Sequence, residues 1–117
     1  MNISKFTQKS VQAVQDLEKV AYEYGNQEIE QEHLLYTLLT QEDSLILKLI
    51  EKMEINKDYF IDIVKKALDA KVKVSGGELR FGQYLNKALV NAEDEAKAMG
   101  DEYVSVEHLF LALLKYP

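Results

Sequence analysis

Sliding the sequence along itself by 75 positions aligns residues 6–41 with residues 81–116 without a gap. Eleven of the thirty-six aligned positions are identical: Phe6, Gln8, Ala13, Glu18, Ala21, Gly25, Glu32, His33, Leu34, Leu38 and Leu39. Unrelated stretches of ordinary composition would share roughly two. Val14 falls opposite Leu89 and Ile29 opposite Val104, so the apolar pattern carries over as well. Self-similarity of this strength means a duplicated supersecondary unit whose copies bury their apolar faces together.

The unit is helical. Val14, Leu17, Val20, Ala21 and Tyr24 recur at helical spacing, which predicts a first helix over residues 7–24, with Thr7 as its cap, Ser4 as a rival start, and Gly25 as its stop. A second helix is predicted over 31–40 with the stripe Leu34, Leu35, Leu38 and Leu39. Asp43 or Ser44 caps a third over 45–53, apolar on nearly all sides and therefore expected to be largely buried. Asn56 caps a fourth over 57–70, striped by Phe60, Ile63, Val64, Ala67 and Leu68. Residues 71–80 read as an extended linker with a flexible Ser75-Gly76-Gly77 turn. A fifth helix is predicted over 83–99, with the stripe Leu85, Ala88, Leu89, Ala92, Ala96 and Met99. Gly100 ends it, and Ser105 caps a sixth helix carrying residues 109–114. The organisation is a first repeat in residues 1–70, a linker in 71–81, and the first two helices of a second repeat in 82–117, together one domain. Helix six has apolar residues on too many sides to stand alone. About 30 further residues, or another copy, are expected to cover it.

Composition narrows the function. The formal charge is −6 and no basic stripe is visible, which argues against nucleic-acid binding. Cysteine is absent, so neither a disulfide framework nor a thiolate metal site exists. No apolar run approaches membrane-spanning length, and a cytoplasmic location is expected. Gly77 and Gly82 have the spacing of a phosphate loop, but Gln83-Tyr84 follows where lysine and a hydroxyl residue are needed, so no nucleotide site is expected here. His33 and His108 occupy equivalent places in the two units. They read as local hydrogen-bonding residues near helix starts rather than metal ligands, and no serine or threonine shows a His-Asp relay. No catalytic, cofactor or metal site is expected in this segment.

Phe6-Thr7-Gln8-Lys9-Ser10, the paired Glu-His-Leu elements, Val74-Ser75-Gly76-Gly77 and the run from Gly100 through Asp101, Glu102, Tyr103, Val104, Ser105, Val106 and Glu107 to His108 resemble the N-terminal repeat domain of Clp ATPases, most of all the ClpB disaggregases. The resemblance implies an all-α, pseudo-twofold bundle of two four-helix repeats, of which six helices are present. It implies a parent chain with ATPase modules that use ATP and magnesium and assemble as a hexamer, this fragment itself being a monomer or dimer. The domain would recruit unfolded or aggregated polypeptide, or an adaptor protein, and pass it to the ring. It implies a peptide groove between the repeats with polar positions Thr7, Asp101 and Glu107 and groove positions near Leu89, Asn91, Glu95 and His108, supplemented by Val90 and Tyr103. Two alternatives stay open. One is a ClpC-like domain of a protease-linked unfoldase, in which Glu32 and Glu107 would help bind phosphoarginine. The other is a stand-alone adaptor. The Gly-Thr that usually precedes Glu-His in the ClpC type is replaced by Glu30-Gln31 and Ser105-Val106, which favours ClpB.

Overall fold

The structure, a computed structural model, describes residues 3–74 and 76–115; Ser75, Tyr116 and Pro117, which the sequence reading included in the linker and the second repeat, lie outside them. Six helices appear in chain order: α1 (Gln8–Glu23), α2 (Gln31–Thr40), α3 (Leu45–Lys52), α4 (Lys57–Asp69), α5 (Gln83–Ala98) and α6 (Val106–Lys115). Two short strands, β1 (Glu28–Ile29) and β2 (Arg80–Phe81), join the connections. The architecture is all-α, as the periodicity predicts.

The caps form as the sequence requires. Thr7 Oγ1 accepts the Ser10 N–H at 3.2 Å, Ser44 Oγ accepts that of Leu47 at 3.0 Å, and Asn56 Oδ1 accepts that of Tyr59 at 3.0 Å. Each satisfies an amide that has no partner within its helix. Gly25 and Gly100 end α1 and α5 at φ of 69° and 73°, a left-handed turn that costs a glycine little. In each turn the next amide reaches back into the helix: Asn26 N–H to Ala21 O at 2.9 Å, and Asp101 N–H to Ala96 O at 2.8 Å.

The two repeats are stitched together reciprocally. β1 and β2 pair in parallel, Glu28 opposite Arg80 and Ile29 opposite Phe81, and the Gly82 N–H donates to Ile29 O at 2.8 Å. The pseudo-equivalent contact is a parallel bridge between Phe6 and Val104, with the Thr7 N–H donating to Val104 O at 3.0 Å. The entry to each repeat's first helix thus adds a strand to the other repeat's connection. Periodicity along the helices gives no sign of this pairing.

The core gathers Leu17, Ile29, Leu34, Leu38, Leu39, Ile46, Ile50, Leu85, Leu89 and Leu109. Two sequence expectations need correction. α3 is not wrapped on all sides: Ile46 and Ile50 are buried, while Leu45 and Met53 are exposed. Ile63, at the margin of the α4 arc, and Met99, the cap residue beyond the last turn of α5, also face outward. The inter-repeat segment, extended at residues 71–74, is fastened along the first repeat. The Val74 N–H donates to Gly25 O at 2.8 Å, Lys73 Nζ to Tyr24 O at 2.6 Å, and Asn26 Nδ2 to Val72 O at 3.1 Å.

Candidate functional site

The starts of α2 and α6 share one construction. In the first repeat the Glu30 N–H donates to His33 Nδ1 at 2.9 Å, and His33 Nε2 lies 2.9 Å from Asn26 Oδ1. Seventy-five positions on, the Ser105 N–H donates to His108 Nδ1 at 2.9 Å, and His108 Nε2 lies 2.9 Å from Asp101 Oδ2. A backbone N–H can only donate, so Nδ1 is the bare nitrogen and Nε2–H is the donor in both rings. Each histidine closes its helix start and fastens it to the preceding glycine turn. Burial, and secondarily the charge of Lys71, lowers the His33 pKa below its ordinary value. Both rings are thereby committed to structure, as the sequence position of the two histidines suggests.

The junction of the repeats leaves a cleft of about 370 Å³ lined by Thr7, Gln8, Lys9, Gln41, Asp43, Leu45, Ser105, Val106 and Glu107. Its walls are braced: Lys9 Nζ donates to Glu42 O at 2.6 Å, and Gln41 Nε2 donates to Lys9 O at 3.0 Å. Asp43 sits at φ 56°, a conformation that non-glycine residues seldom adopt, and its carboxylate holds Lys48 Nζ at 2.6 Å. That hydrogen bond holds the Asp43 pKa below the usual carboxylate value. Leu45 supplies an exposed apolar wall. No hydrogen bond or ion pair reaches the exposed Glu107 side chain among the described residues.

The other residues singled out in the sequence are dispersed. Thr7 and Glu107 both line the cleft, while Asp101 is held by His108 on the connection before α6. Tyr103 is exposed beside Lys5, whose Nζ lies 5.8 Å from the ring centre. Leu89 is corrected outright as a surface position: it is 1% exposed and packs in the core, because the inner stripe of α5 passes through it. Val90, the next residue, is exposed and lines a separate shallow depression with Asn86, Lys87 and Asn91. Glu95 is paired with Lys115 at 2.8 Å. Glu32 lies far from free: Lys71 Nζ is 3.3 Å from its Oε2 and 2.8 Å from Glu30 Oε2. Burial by itself lowers the Lys71 pKa, but Glu30 and Glu32 more than offset this, and the net shift is upward. Sequence reasoning missed Leu45, Gln41 and the Lys71 clamp. The 75-residue alignment places Asn26 opposite Asp101, each seven residues before its histidine, and that pairing was the available signal for the histidine partners.

A family model described as the Clp repeat (R) N-terminal domain matches residues 5–117. The chain belongs to this family. Clp repeat domains similar to it include part of the chaperone protein ClpB of Nitratidesulfovibrio vulgaris, 38% identical over 122 residues that span 100% of this chain and 14% of that protein. The ClpB of Porphyromonas gingivalis is 40% identical over 114 residues, 97% of this chain and 13% of that protein. The chain therefore spans about one seventh of the length of these relatives. Among solved structures, the Hsp104 N-terminal domain from Candida albicans superposes with a TM-score of 0.88 at 20% identity, covering 97% of this chain and 75% of that one. The N-terminal domain of the ClpV1 ATPase from E. coli gives 0.87 at 23% identity, covering 98% and 71%. These two likenesses establish the fold, and the ClpB relatives make this a ClpB-like Clp repeat domain. Among the described residues no helix is long and apolar enough to cross a membrane, and no group of three or more His, Asp or Glu side chains could hold a metal ion.

Proposed function

We propose that this domain recruits unfolded or aggregated polypeptide, directly or through an adaptor protein, for a ClpB-like ATP-dependent disaggregase. In this reading ATP hydrolysis and magnesium binding belong to ATPase modules of a hexameric, cytoplasmic parent protein. The observation that carries it is the junction cleft, where Thr7 from the start of the first repeat and Glu107 from the second line one cavity against exposed Leu45. Polar groups that fix orientation beside an apolar wall suit an extended chain with mixed side chains. A cleft this open buries little area, and an unfolded client loses entropy on binding, so affinity is weak. Weak binding suits a domain that must release its client.

The phosphoarginine reading finds less support. Its two glutamates are not equivalent here, since Lys71 neutralises Glu32 while Glu107 stands open.

Titration of the isotope-labelled domain with a permanently unfolded polypeptide tests the proposal. Amide shifts are expected around Thr7, Gln41, Leu45 and Glu107. Joint replacement Thr7→Ala and Glu107→Gln should weaken binding about fivefold, equivalent to about 1 kcal/mol. Shifts confined to surfaces away from α1, α5 and α6 would overturn the placement of the site.

A further inference from the structure

The parallel seam of β1 and β2 leaves an open edge on β1. The Arg80 N–H donates to Gln27 O at 3.1 Å, and the Gly82 N–H donates to Ile29 O at 2.8 Å. Successive residues of a strand turn their main-chain groups to opposite edges. Ile29 therefore bonds toward β2, and the N–H and C=O of Glu28 point the other way. Neither makes a hydrogen bond among the described residues. An unpaired strand edge is a template for another extended chain. Glu28 is also a wall of a groove of about 420 Å³, lined by Glu28, Glu30 and Arg80 and, from the inter-repeat segment, by Lys71, Val72 and Val74. That segment is held in place by the Val74 N–H on Gly25 O at 2.8 Å and by Lys71 Nζ on Glu30 Oε2 at 2.8 Å.

The walls of the groove select its occupant. Its charges are already matched: Arg80 lies 3.6 Å from Glu28, and Lys71 is shared between Glu30 and Glu32. A charged side chain entering the groove would have to break one of these pairs and lose its own water. Val72 and Val74 are 79% and 41% exposed and offer β-branched apolar surface. We propose that this groove takes an uncharged, β-branched extended segment of an unfolded client, which adds to β1 as a strand through the Glu28 N–H and C=O and packs on Val72 and Val74. Main-chain bonding makes the site tolerant of sequence. It also excludes folded proteins, whose buried strands already have their backbone groups paired. The groove shares no lining residue with the junction cleft, so the domain holds two separate sites. With one open residue on the edge, the new strand gains two main-chain bonds, and its binding is weak. This inference rests on the client-recruiting reading and names the kind of segment that is recruited.

The probe is the capped peptide Ser-Val-Thr-Val-Ser. One control has its three central amide nitrogens methylated, which keeps every side chain and removes the donors; the other is Ser-Lys-Thr-Lys-Ser. Titrated into the labelled 117-residue protein, the valine peptide should shift the amides of residues 26–30 and 72–74, and added salt should change this little. Hydrogen exchange at the Glu28 amide should slow about twofold at half saturation, since only the free half exchanges. The methylated and lysine peptides should each bind at least about tenfold more weakly. Val72→Asp, at an exposed position, should weaken binding of the valine peptide about fivefold while the Val74 amide keeps its wild-type shift. An unperturbed Glu28 amide at about 1 mM valine peptide, equal binding of the methylated peptide, preference for the lysine peptide, or indifference to Val72→Asp would each overturn the proposal. If a permanently unfolded polypeptide shifts the junction cleft while the valine peptide leaves residues 26–30 unmoved, the strand-edge site falls and the recruiting function stands. If the valine peptide protects the Glu28 amide but unfolded polypeptide binds nowhere on the domain, the site stands and the recruiting function falls.

Discussion

The two repeats share a backbone plan but not a covering. In the first, α3 and α4 lie over α2, and Leu39 is 1% exposed. In the second, the identical residue one repeat later, Leu114, is 58% exposed. The connections differ in the same sense, since Lys71 closes the carboxylates of the first while Glu107 of the second stands open. Local sequence therefore sets the turn, the cap and the histidine tie in both copies. What lies against them is decided by residues elsewhere in the chain. The sharpest way to break this comparison is to shorten the paired leucines. Leu39→Ala removes a buried side chain and should cost about 3 kcal/mol, whereas Leu114→Ala in the same chain should cost less than about 0.5 kcal/mol. Thermal unfolding would read the first as a drop of roughly 12 °C, at about 4 °C per kcal/mol for a domain of this size. Equal losses would mean that the two α2-type helices are covered alike.

The histidines give the next contrast. His33 is fully buried, so His33→Ala leaves the Glu30 amide and the Asn26 carbonyl oxygen without their partner in a dry site and should cost about 3 kcal/mol. His108→Ala strands an amide too, but the exposed Asp101 carboxylate regains water, and about 2 kcal/mol is expected. Hydrogen exchange at the Glu30 and Ser105 amides would show whether each loss begins at its own helix start.

Much of this was legible in the sequence. Periodicity and caps located all six helices, and the alignment at 75 residues exposed the duplication, because both depend on residues close in the chain or identical between copies. Thr7 and Glu107 entered through the family resemblance, and the fold brings them into one cleft. The rest was hidden for physical reasons. Two-residue strands carry too little pattern to announce pairing across the repeats. Leu89 satisfies an apolar groove and an apolar core equally well on paper, and only packing places it inside. Lys71 looked like a linker charge, since nothing local indicates that its ammonium returns to Glu30 and Glu32 some forty residues earlier.

Acid should act on the first repeat through His33. His33 has a lowered pKa, so the unfolded chain takes up its proton before the folded chain does. Its contribution to stability is fully present above the unfolded value of 6.5 and is lost as pH falls below it toward the folded value. Between pH about 6.5 and the folded value, this residue can add a slope of up to about 1.4 kcal/mol per pH unit. Denaturant unfolding at a series of pH values should show that slope in the wild-type chain and a flatter profile, at lower overall stability, in His33→Gln. An unchanged profile would show that the His33 ring is free to protonate in the folded state.

The smallest contrast lies at the two helix entries. Thr7 caps α1 through its hydroxyl, while Gly82 occupies the equivalent place before α5 without a side-chain cap. Thr7→Ala should cost about 1 kcal/mol, the usual value of such a cap. The reverse change, Gly82→Ser, offers α5 a cap worth only a few tenths of a kcal/mol over glycine. Its Cβ would also meet Ile29 O at 3.2 Å and Glu28 Oε1 at 2.8 Å. Glu28 can swing away, but the Ile29 carbonyl is fixed by its bond to the Gly82 amide. The gain and the crowding should leave Gly82→Ser within about 0.5 kcal/mol of wild type. A clear stabilisation would mean that the β1–β2 seam yields to a side chain. A loss approaching that of Thr7→Ala would mean that close approach at this seam, rather than capping, is what the second repeat requires of its entry.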